Sequence, residues 1–329
     1  MHLKNIRKWQ HDHTHGTIDA SLFGTERVIW AVKRSFAWLF LTALFQLVIV
    51  FFSGSVALLA DTIHNIGDAA TAVPLWIAFK FAKRKPDNRF TYGYGRVEDL
   101  AGIAVVIVIL FSAVVAGYQS VERLMHPQKI GYLWAVIAAS IIGFVGNEAV
   151  AVFRIRVGKE IGSAALIADG YHARVDGLTS LAVLFGAIGV WLGYPLADPI
   201  VGIIITITIL RIVWDSGKEV FSRILDSVDS EVVEEIRHAV SDIKEVKEIT
   251  EVRVRWVGHR LHAELNIAID SNLTVEKAHS ISKEIRHILL HHLKYLDNAI
   301  IHVDPVGASG EQNHSIAEHS HDGSTHSRK

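Results

Sequence analysis

The stretches that decide the fold are 57–68, with the sequence ALLADTIHNIGD, and 165–176, with the sequence ALIADGYHARVD. Both match the pattern A-L-x-A-D-x-x-H-x-x-x-D. A His and an Asp four residues later lie one turn apart on the same face of a helix. Each copy lies in an apolar stretch that reaches the roughly 20 residues needed to cross a bilayer. The repeat therefore predicts two equivalent half-sites on two membrane-spanning helices that face each other.

The composition of the whole chain agrees with a membrane protein. Of the 329 residues, 50% are hydrophobic and 20% are charged, and the mean hydropathy is +0.30. Residues 1–19 lack the apolar core of a signal peptide, so we expect the first span to remain in the mature protein. Six stretches qualify as membrane spans, and they run approximately over 35–53, 55–79, 100–121, 131–153, 163–193 and 197–214.

The loops between the spans predict the orientation. Cytoplasmic loops carry an excess of Lys and Arg. The basic residues on one side are Lys33, Arg34, Lys80, Lys83, Arg84, Lys85, Arg89, Arg96, Arg154, Arg156 and Lys159, whereas the opposite loops carry Arg123 and Lys129. Both termini are therefore predicted to be cytoplasmic, in a chain embedded in the cell's inner or plasma membrane.

The composition changes after about residue 217, where apolar runs shorten and charges return. Helices are predicted over 231–244 and 274–293, and strands over 249–257, 261–269 and 299–304. The order αββαβ predicts a small α+β domain with helices on one face of a sheet. We thus expect a His-containing cytoplasmic tail (1–30), a six-helix transmembrane domain (31–216), a cytoplasmic α+β domain (217–306) and a disordered His-rich tail (307–329).

The repeated His and Asp residues indicate a metal site. Ionisable groups in the hydrocarbon region cost at least about 2.5–3.5 kcal/mol each, so they persist when paired, hydrated or bound to an ion. With no Cys in the chain, metal ligands must be His, Asp or Glu. The candidate ligands are His64, Asp68, His172 and Asp176. Two nitrogens and two carboxylates form a tetrahedral set that suits Zn²⁺ better than Mg²⁺ or Ca²⁺.

Three further polar residues lie near these ligands in the predicted spans. Asp61 and Asp169 precede the two His residues by three positions, and they are candidates for orienting the imidazoles or for an access path. The alternative for both is a cap or a hydrogen bond within the helix bundle. Asn147, in the fourth span, is a candidate for the same roles, with a hydrogen bond between helices as its alternative. The net charge of −1 gives no case for nucleic-acid binding.

The chain resembles the cation diffusion facilitator family. The resemblance depends on the paired H-x-x-x-D motifs, on FTYGYGRVEDLAG (90–102), on DPIVG (198–202) and on IIHVDP (300–305). It implies a homodimeric exporter that moves divalent metal ions out of the cytoplasm in exchange for protons, with a metallochaperone-like cytoplasmic domain. By matching position, the four candidate ligands form the family's transport site, and a His in both half-motifs looks like the zinc-selective members.

The resemblance also implies secondary sites, with departures from the family pattern. Phe90 and Tyr94 stand where some members carry a loop metal site, so we expect that site to be absent. In the cytoplasmic domain Thr250 and Asn266 stand where His is expected, so a simpler metal site, structural or regulatory, is predicted in place of a binuclear cluster. Its candidate ligands are His262, His279, His302 and Asp304. Arg96 and Asp226 are implied as a charge interlock between the membrane halves of the dimer.

Three functions remain as hypotheses at this level. The first is proton-coupled efflux of Zn²⁺, with Cd²⁺, Co²⁺ and Fe²⁺ as further substrates, by alternating access. An intramembrane zinc hydrolase is less favoured because the chain has no H-E-x-x-H motif and four protein ligands leave no position for water. A membrane-anchored metal sensor would leave the buried repeat unexplained. Histidines in both tails either collect Zn²⁺ loosely or are solvated tail residues.

Overall fold

The structure is a computed structural model that describes residues 20–53, 72–126, 133–194 and 196–307. The chain divides into two compact units, Met1–Phe221 and Ser222–Lys329. The histidines of both tails lie outside the described residues. The predicted domain boundaries stay a prediction.

The first unit is a bundle of long apolar helices. In chain order they are α1 (Ala20–Ser53), α2 (Ala72–Ala82), α3 (Arg96–Met125), α4 (Leu133–Ile161), α5 (Ala164–Trp191) and α6 (Ala197–Ile224). Among the described residues, five helices are long and apolar enough to cross a membrane, and Val73–Ala82 is a shorter apolar helix. The predicted second span, 55–79, lies largely in residues 54–71, outside the described part of the chain. The prediction of an integral membrane protein is confirmed.

Helices α4 and α5 form a tightly packed hairpin with a two-residue connection. A Cβ atom on Gly158 would lie 2.7 Å from Ile167 Cγ1, and a Cβ atom on Gly170 would lie 2.7 Å from Ile155 Cγ1. The absence of these Cβ atoms lets the two backbones approach closely. Ser163 caps α5, because its hydroxyl oxygen accepts a hydrogen bond from the backbone N–H of Leu166.

The cap of α5 also joins this hairpin to α3. The Ser163 hydroxyl donates a hydrogen bond of 2.5 Å to Glu98 Oε1, and both side chains are buried. A buried carboxylate that accepts a hydrogen bond avoids part of the cost of leaving water. The beginning of α3 and the beginning of α5 are therefore fixed against each other.

The second unit is the predicted αββαβ domain. Helix α7 (Ser230–Ser241) precedes β1 (Glu248–Val257) and β2 (Arg260–Ile269), and helix α8 (Val275–His292) precedes β3 (Leu296–Pro305). The sheet order is β1-β2-β3; β2 pairs antiparallel with β1 and parallel with β3. Gly258, at φ 63°, begins the tight turn between β1 and β2. The predicted fold class is confirmed.

The core of this domain lies between the two helices and one face of the sheet. It is an aliphatic cluster whose fully buried members come from α7, β2 and α8, and they include Ile236, Leu265, Ile267, Ile281, Ile285 and Leu289. Alternate β2 residues supply the sheet side of this core, in the period of two expected of a strand. Arg223, near the beginning of the second unit, lies over the ring of Trp256 at 4.3 Å.

Candidate metal centre

The described half of the predicted site lies in the middle of α5. His172 and Asp176 are buried, with 2% and 8% of their surfaces exposed, and His172 Nδ1 is 3.9 Å from Asp176 Oδ1. Their spacing of four residues places them on one face of the helix. The structure thus brings together an imidazole and a carboxylate at membrane depth.

The other half of the predicted site falls outside the described residues. His64 and Asp68, together with Asp61, lie within residues 54–71, which the structure does not describe. Within the described ranges, no group of three or more His, Asp or Glu side chains is arranged to hold a metal ion. The set of four ligands therefore stays a prediction.

Asn147 lies on α4, next to the described half-site. It is buried, and a Cβ atom on Gly177 would lie 3.5 Å from Asn147 Cβ. Gly177 directly follows Asp176 in the chain, so Asn147 packs against the α5 backbone beside this ligand. That position agrees with either predicted role, near the ligands or between the helices.

Asp169 forms a buried ion pair within the bundle, which is the alternative role predicted for it, but its partner Arg154 was predicted to lie in a loop. Asp169 Oδ2 is 2.9 Å from Arg154 Nη1, and the two side chains are 0% and 1% exposed. The close approach at Gly170 puts its would-be Cβ 3.1 Å from Arg154 Cβ, so the arginine lies directly against this part of α5. A fully buried carboxylate with a cationic partner favours a positioning role over one on an access path, where contact with water is needed.

A second charged pair joins the same helices, and its arginine was not identified from the sequence. Arg174 donates two hydrogen bonds to the carboxylate of Glu148, at 2.6 and 3.1 Å, and both side chains are about one-third exposed. A bidentate contact of this kind is the strongest form of an ion pair between arginine and a carboxylate. The signal was available: Arg174 stands between His172 and Asp176 in the second copy of the repeat, at membrane depth, where an isolated charge is costly.

The connection between α2 and α3 has a defined fold built on Asp87. This carboxylate accepts hydrogen bonds from the Tyr94 hydroxyl at 2.6 Å and from the backbone N–H groups of Arg89 and Phe90, both at 2.8 Å. The Tyr94 bond first, and then the two backbone bonds, lower the pKa of Asp87 below its ordinary value, and the bond to Asp87 raises the pKa of Tyr94. The Phe90 and Tyr94 rings lie 4.7 Å apart.

The candidate ligands of the cytoplasmic domain lie at separate places. His262, on β2, has its Nε2 atom 3.9 Å from Asp297 Oδ2, whereas His302 and Asp304, on β3, are 2.9 Å apart. His302 pairs in register with Asn266, four residues along β2 from His262, which corresponds to roughly 13 Å. His279 is exposed on α8. Only His302 and Asp304 are brought together.

The two residues of the implied charge interlock each have local contacts. Arg96 Nη1 lies 3.5 Å from Asp99 Oδ2, one turn along α3. Asp226, just after α6, has a φ of 59°, in the left-handed region that Asp tolerates better than most residues. The interlock joins two copies of the chain and stays a prediction.

This combination of membrane-spanning helices, buried metal-type ligands and a small α+β domain defines a membrane protein that handles cations. The comparisons with known proteins specify the class further. Residues 32–225 match the family model described as the cation efflux transmembrane domain, and residues 228–306 match the cytoplasmic domain of cation efflux proteins. The chain belongs to the cation efflux family, and it is a transporter of divalent metal ions.

Several relatives align over most of their length. A probable cation efflux system protein of Mycobacterium tuberculosis is 52% identical over 88% of this chain and 87% of its own. The manganese efflux system protein MneP of Bacillus subtilis is 28% identical, over 76% of this chain and 87% of its own. The magnetosome protein MamB of Magnetospirillum gryphiswaldense is 27% identical, over 86% of this chain and 95% of its own.

Among solved structures, the metal-bound C-terminal domain of the CzcD transporter from Thermotoga maritima is 27% identical. It covers 23% of this chain and 90% of its own, with a TM-score of 0.23. The match of residues 228–306 is to a dimerisation domain, which supports a homodimer that binds metal ions.

Proposed function

We propose that the chain exports Zn²⁺ from the cytoplasm in exchange for protons, through a site formed by His64, Asp68, His172 and Asp176. The observation that carries this proposal is the buried pair His172 and Asp176, one turn apart in a helix that spans the membrane. Burying these groups is costly unless an ion or a proton uses them. The repeat of the same residues at 57–68 supplies an equivalent pair.

The spacing of the described pair suits a shared ion. Two tetrahedral ligands about 2.0–2.1 Å from one Zn²⁺ are about 3.3 Å apart. His172 Nδ1 and Asp176 Oδ1 are 3.9 Å apart, so a small rotation of either side chain reaches that distance. The remaining two positions fall to His64 and Asp68, which gives two neutral nitrogens and two negative carboxylates. This set neutralises a divalent cation.

The same ligands supply the coupling to protons. Zn²⁺ binds neutral imidazole and ionised carboxylate, so protonation of these groups competes with the metal. A site that faces the cytoplasm binds the ion, and the same site, once it faces the more acidic side, accepts protons and releases the ion. One set of ligands thus carries metal outward and protons inward.

The choice of metal follows from the donor atoms. Imidazole nitrogen favours Zn²⁺, Co²⁺ and Cd²⁺ over harder ions, whereas an all-oxygen set favours Mn²⁺. One relative is named for manganese efflux, so membership of the family does not by itself fix the metal. With two His among four ligands, we expect Zn²⁺ to be moved faster than Mn²⁺.

The remaining parts of the proposal concern the assembly and the membrane. Two copies of the cytoplasmic domain hold the dimer, and the His302–Asp304 pair is the part of that domain best placed to contact a metal ion. The basic loops place both termini in the cytoplasm, within the inner or plasma membrane. Asp61 and Asn147 support the ligands, and Arg96 with Asp226 joins the two membrane halves.

Metal flux into proteoliposomes under an imposed pH gradient tests the function. Zn²⁺, Cd²⁺, Co²⁺, Fe²⁺ and Mn²⁺ are compared for the wild type and for Asp176→Ala. We expect Zn²⁺ movement that responds to the gradient and is lost in the variant. A wild type that binds Zn²⁺ but moves none under any gradient would contradict the proposal and reopen the sensor and hydrolase hypotheses.

A further inference from the structure

A stripe of residues continues from the described half-site toward the C-terminal end of α5. His172, Asp176, Thr179, Val183 and Gly186 follow one another at alternating intervals of four and three residues. Residues with this spacing share one face of a helix. At 1.5 Å per residue, Thr179 lies roughly 10 Å beyond His172 along the helix axis, and Gly186 roughly 20 Å beyond it.

A small cavity lies along the far part of this stripe, between α3, α5 and α6. Its volume is about 80 Å³, which is space for two or three water molecules at roughly 30 Å³ each. Its polar lining residues are Gln119, Ser120, Arg123, Thr179, Asp198 and Thr206. This volume is large enough for a cation that keeps one or two water molecules.

Three of the lining residues carry hydroxyl groups that are hydrogen-bonded to the backbone of their own helices. Thr179 donates its hydroxyl hydrogen to the carbonyl of Val175 at 3.0 Å, and Thr206 donates to the carbonyl of Gly202 at 2.8 Å. Ser120 does the same with Ala116, at 2.7 Å. Because each hydroxyl hydrogen is donated to a backbone carbonyl, each hydroxyl oxygen can act only as an acceptor for water or as a ligand for a cation.

A carboxylate and a guanidinium stand at the outer end of the cavity. Asp198 Oδ2 is 3.0 Å from Arg123 Nη1, and the side chains are 13% and 47% exposed. A Cβ atom on Gly186 would overlap Asp198 Oδ1. The missing side chain at Gly186 therefore lets Asp198 lie directly on the stripe that begins at His172.

We propose that this cavity is a release site for the divalent cation, between the transport ligands and the far surface, with Asp198 as the carboxylate that receives the ion. The proposal rests on the proposed function. One carboxylate with neutral hydroxyl oxygens holds a hydrated cation more weakly than four direct ligands, as release requires. Without the ion, Asp198 keeps its contact with Arg123 at 3.0 Å.

Flux measurements with two variants test the role of Asp198. We expect Asp198→Asn to reduce the Zn²⁺ flux of the full-length protein in proteoliposomes at least tenfold, while Zn²⁺ affinity in detergent stays within threefold of wild type. Arg123→Gln, which removes the partner and keeps the carboxylate, should retain at least half of the flux. Equal losses in both variants would show that Asp198 only holds Arg123, and wild-type flux in Asp198→Asn would also overturn the proposal.

Labelling provides a second test that needs no loss of function. The chain contains no Cys, so a single introduced Cys is the only thiol. Val183 lines the cavity, whereas Phe185, two residues on, does not line it and is 51% exposed. A water-soluble cationic thiol reagent should label Val183→Cys at least tenfold faster than Phe185→Cys, and Zn²⁺ should slow the labelling. Labelling of Val183→Cys no faster than that of Phe185→Cys, and unaffected by Zn²⁺, would overturn the proposal.

Different results would contradict the proposed transport function and the proposed release site. If the wild type moves no metal, the proposed function is wrong. If the wild type moves Zn²⁺ and Asp176→Ala does not, but Asp198→Asn behaves as wild type, the transport site stands and the release site is wrong.

Discussion

Replacing Asp169 by Asn should destabilise the membrane unit by about 3–5 kcal/mol. The ion pair with Arg154 is fully buried, at 2.9 Å, and removing one partner of such a pair leaves an uncompensated charge in the interior. The Arg154 side chain is 1% exposed and has no route to water from this position. At about 2–4 °C per kcal/mol for a unit of this size, the melting temperature should fall by about 6–20 °C.

Thermal unfolding in detergent, followed by the fluorescence of the eight Trp residues, measures this change. The control is Glu160→Gln. Glu160 also pairs with an arginine, Arg27, at 3.3 Å, but the two side chains are 46% and 49% exposed. Exposed pairs contribute about 0.2–1 kcal/mol, so the control should melt within a few degrees of wild type. Equal melting temperatures for Asp169→Asn and Glu160→Gln would refute the reasoning.

A double variant separates stability from transport. Replacing Arg154 by Met and Asp169 by Leu removes both charges and keeps much of the volume, which is often neutral or stabilising. We expect this protein to melt near the wild type and to move Zn²⁺. If it is stable but transports nothing, Asp169 acts in transport itself, and its role is not limited to stabilising the α4–α5 hairpin.

Three further predictions follow from other parts of the molecule. His172→Ala should abolish metal flux in proteoliposomes while the protein still elutes as a folded dimer; retained flux would remove this residue from the site. Gly170→Ala places a Cβ against Ile155 and should cost about 1–3 kcal/mol in thermal unfolding, whereas Gly177→Ala, whose Cβ meets only contacts of 3.5 Å or more, should not destabilise. Because the Tyr94 hydrogen bond lowers the pKa of Asp87, the loop stabilisation lost in Tyr94→Phe should be present above about pH 4 and disappear as the pH falls through the lowered pKa, and melting curves at several pH values check this.

The periodicity of apolar residues was sufficient to predict the helices and strands of the cytoplasmic domain. Predicted elements over 231–244, 274–293 and 261–269 agree with α7, α8 and β2 to within a few residues. In a soluble domain each helix and strand buries one face, so its apolar residues recur with the period of a helix or of a strand. The pattern of apolar residues therefore predicts the type of element.

The ends of the membrane helices were predicted less well, for a physical reason. Helix α1 begins at Ala20 and α6 ends at Ile224, whereas apolar composition suggested 35 and 214. Hydropathy marks where the bilayer ends, and a helix continues into water as long as its polar residues are satisfied. Arg34, for example, lies over the Trp30 ring at 4.8 Å, one turn earlier in α1.

The repeat identified His172 and Asp176, but it did not identify their charged neighbours. Arg154 and Arg174 form their ion pairs between α4 and α5, so each pairing depends on how the two helices face each other. A local sequence pattern can mark a charge at membrane depth, but it does not tell which residue of the other helix is its partner. The zero exposure of Asp169 could likewise be seen only from the packed structure.

The glycine contacts of the α4–α5 hairpin limit how a transporter of this design can move. With Gly158 seated against Ile167 and Gly170 seated against Ile155, sliding one helix along the other by a single turn would drive side chains into backbone. We expect α4 and α5 to move as one rigid body, so that the other helices open and close the access to the transport site. Spin labels on α4 and α5 should keep the same separation with and without Zn²⁺. A change of several ångströms would show that the two helices move relative to each other.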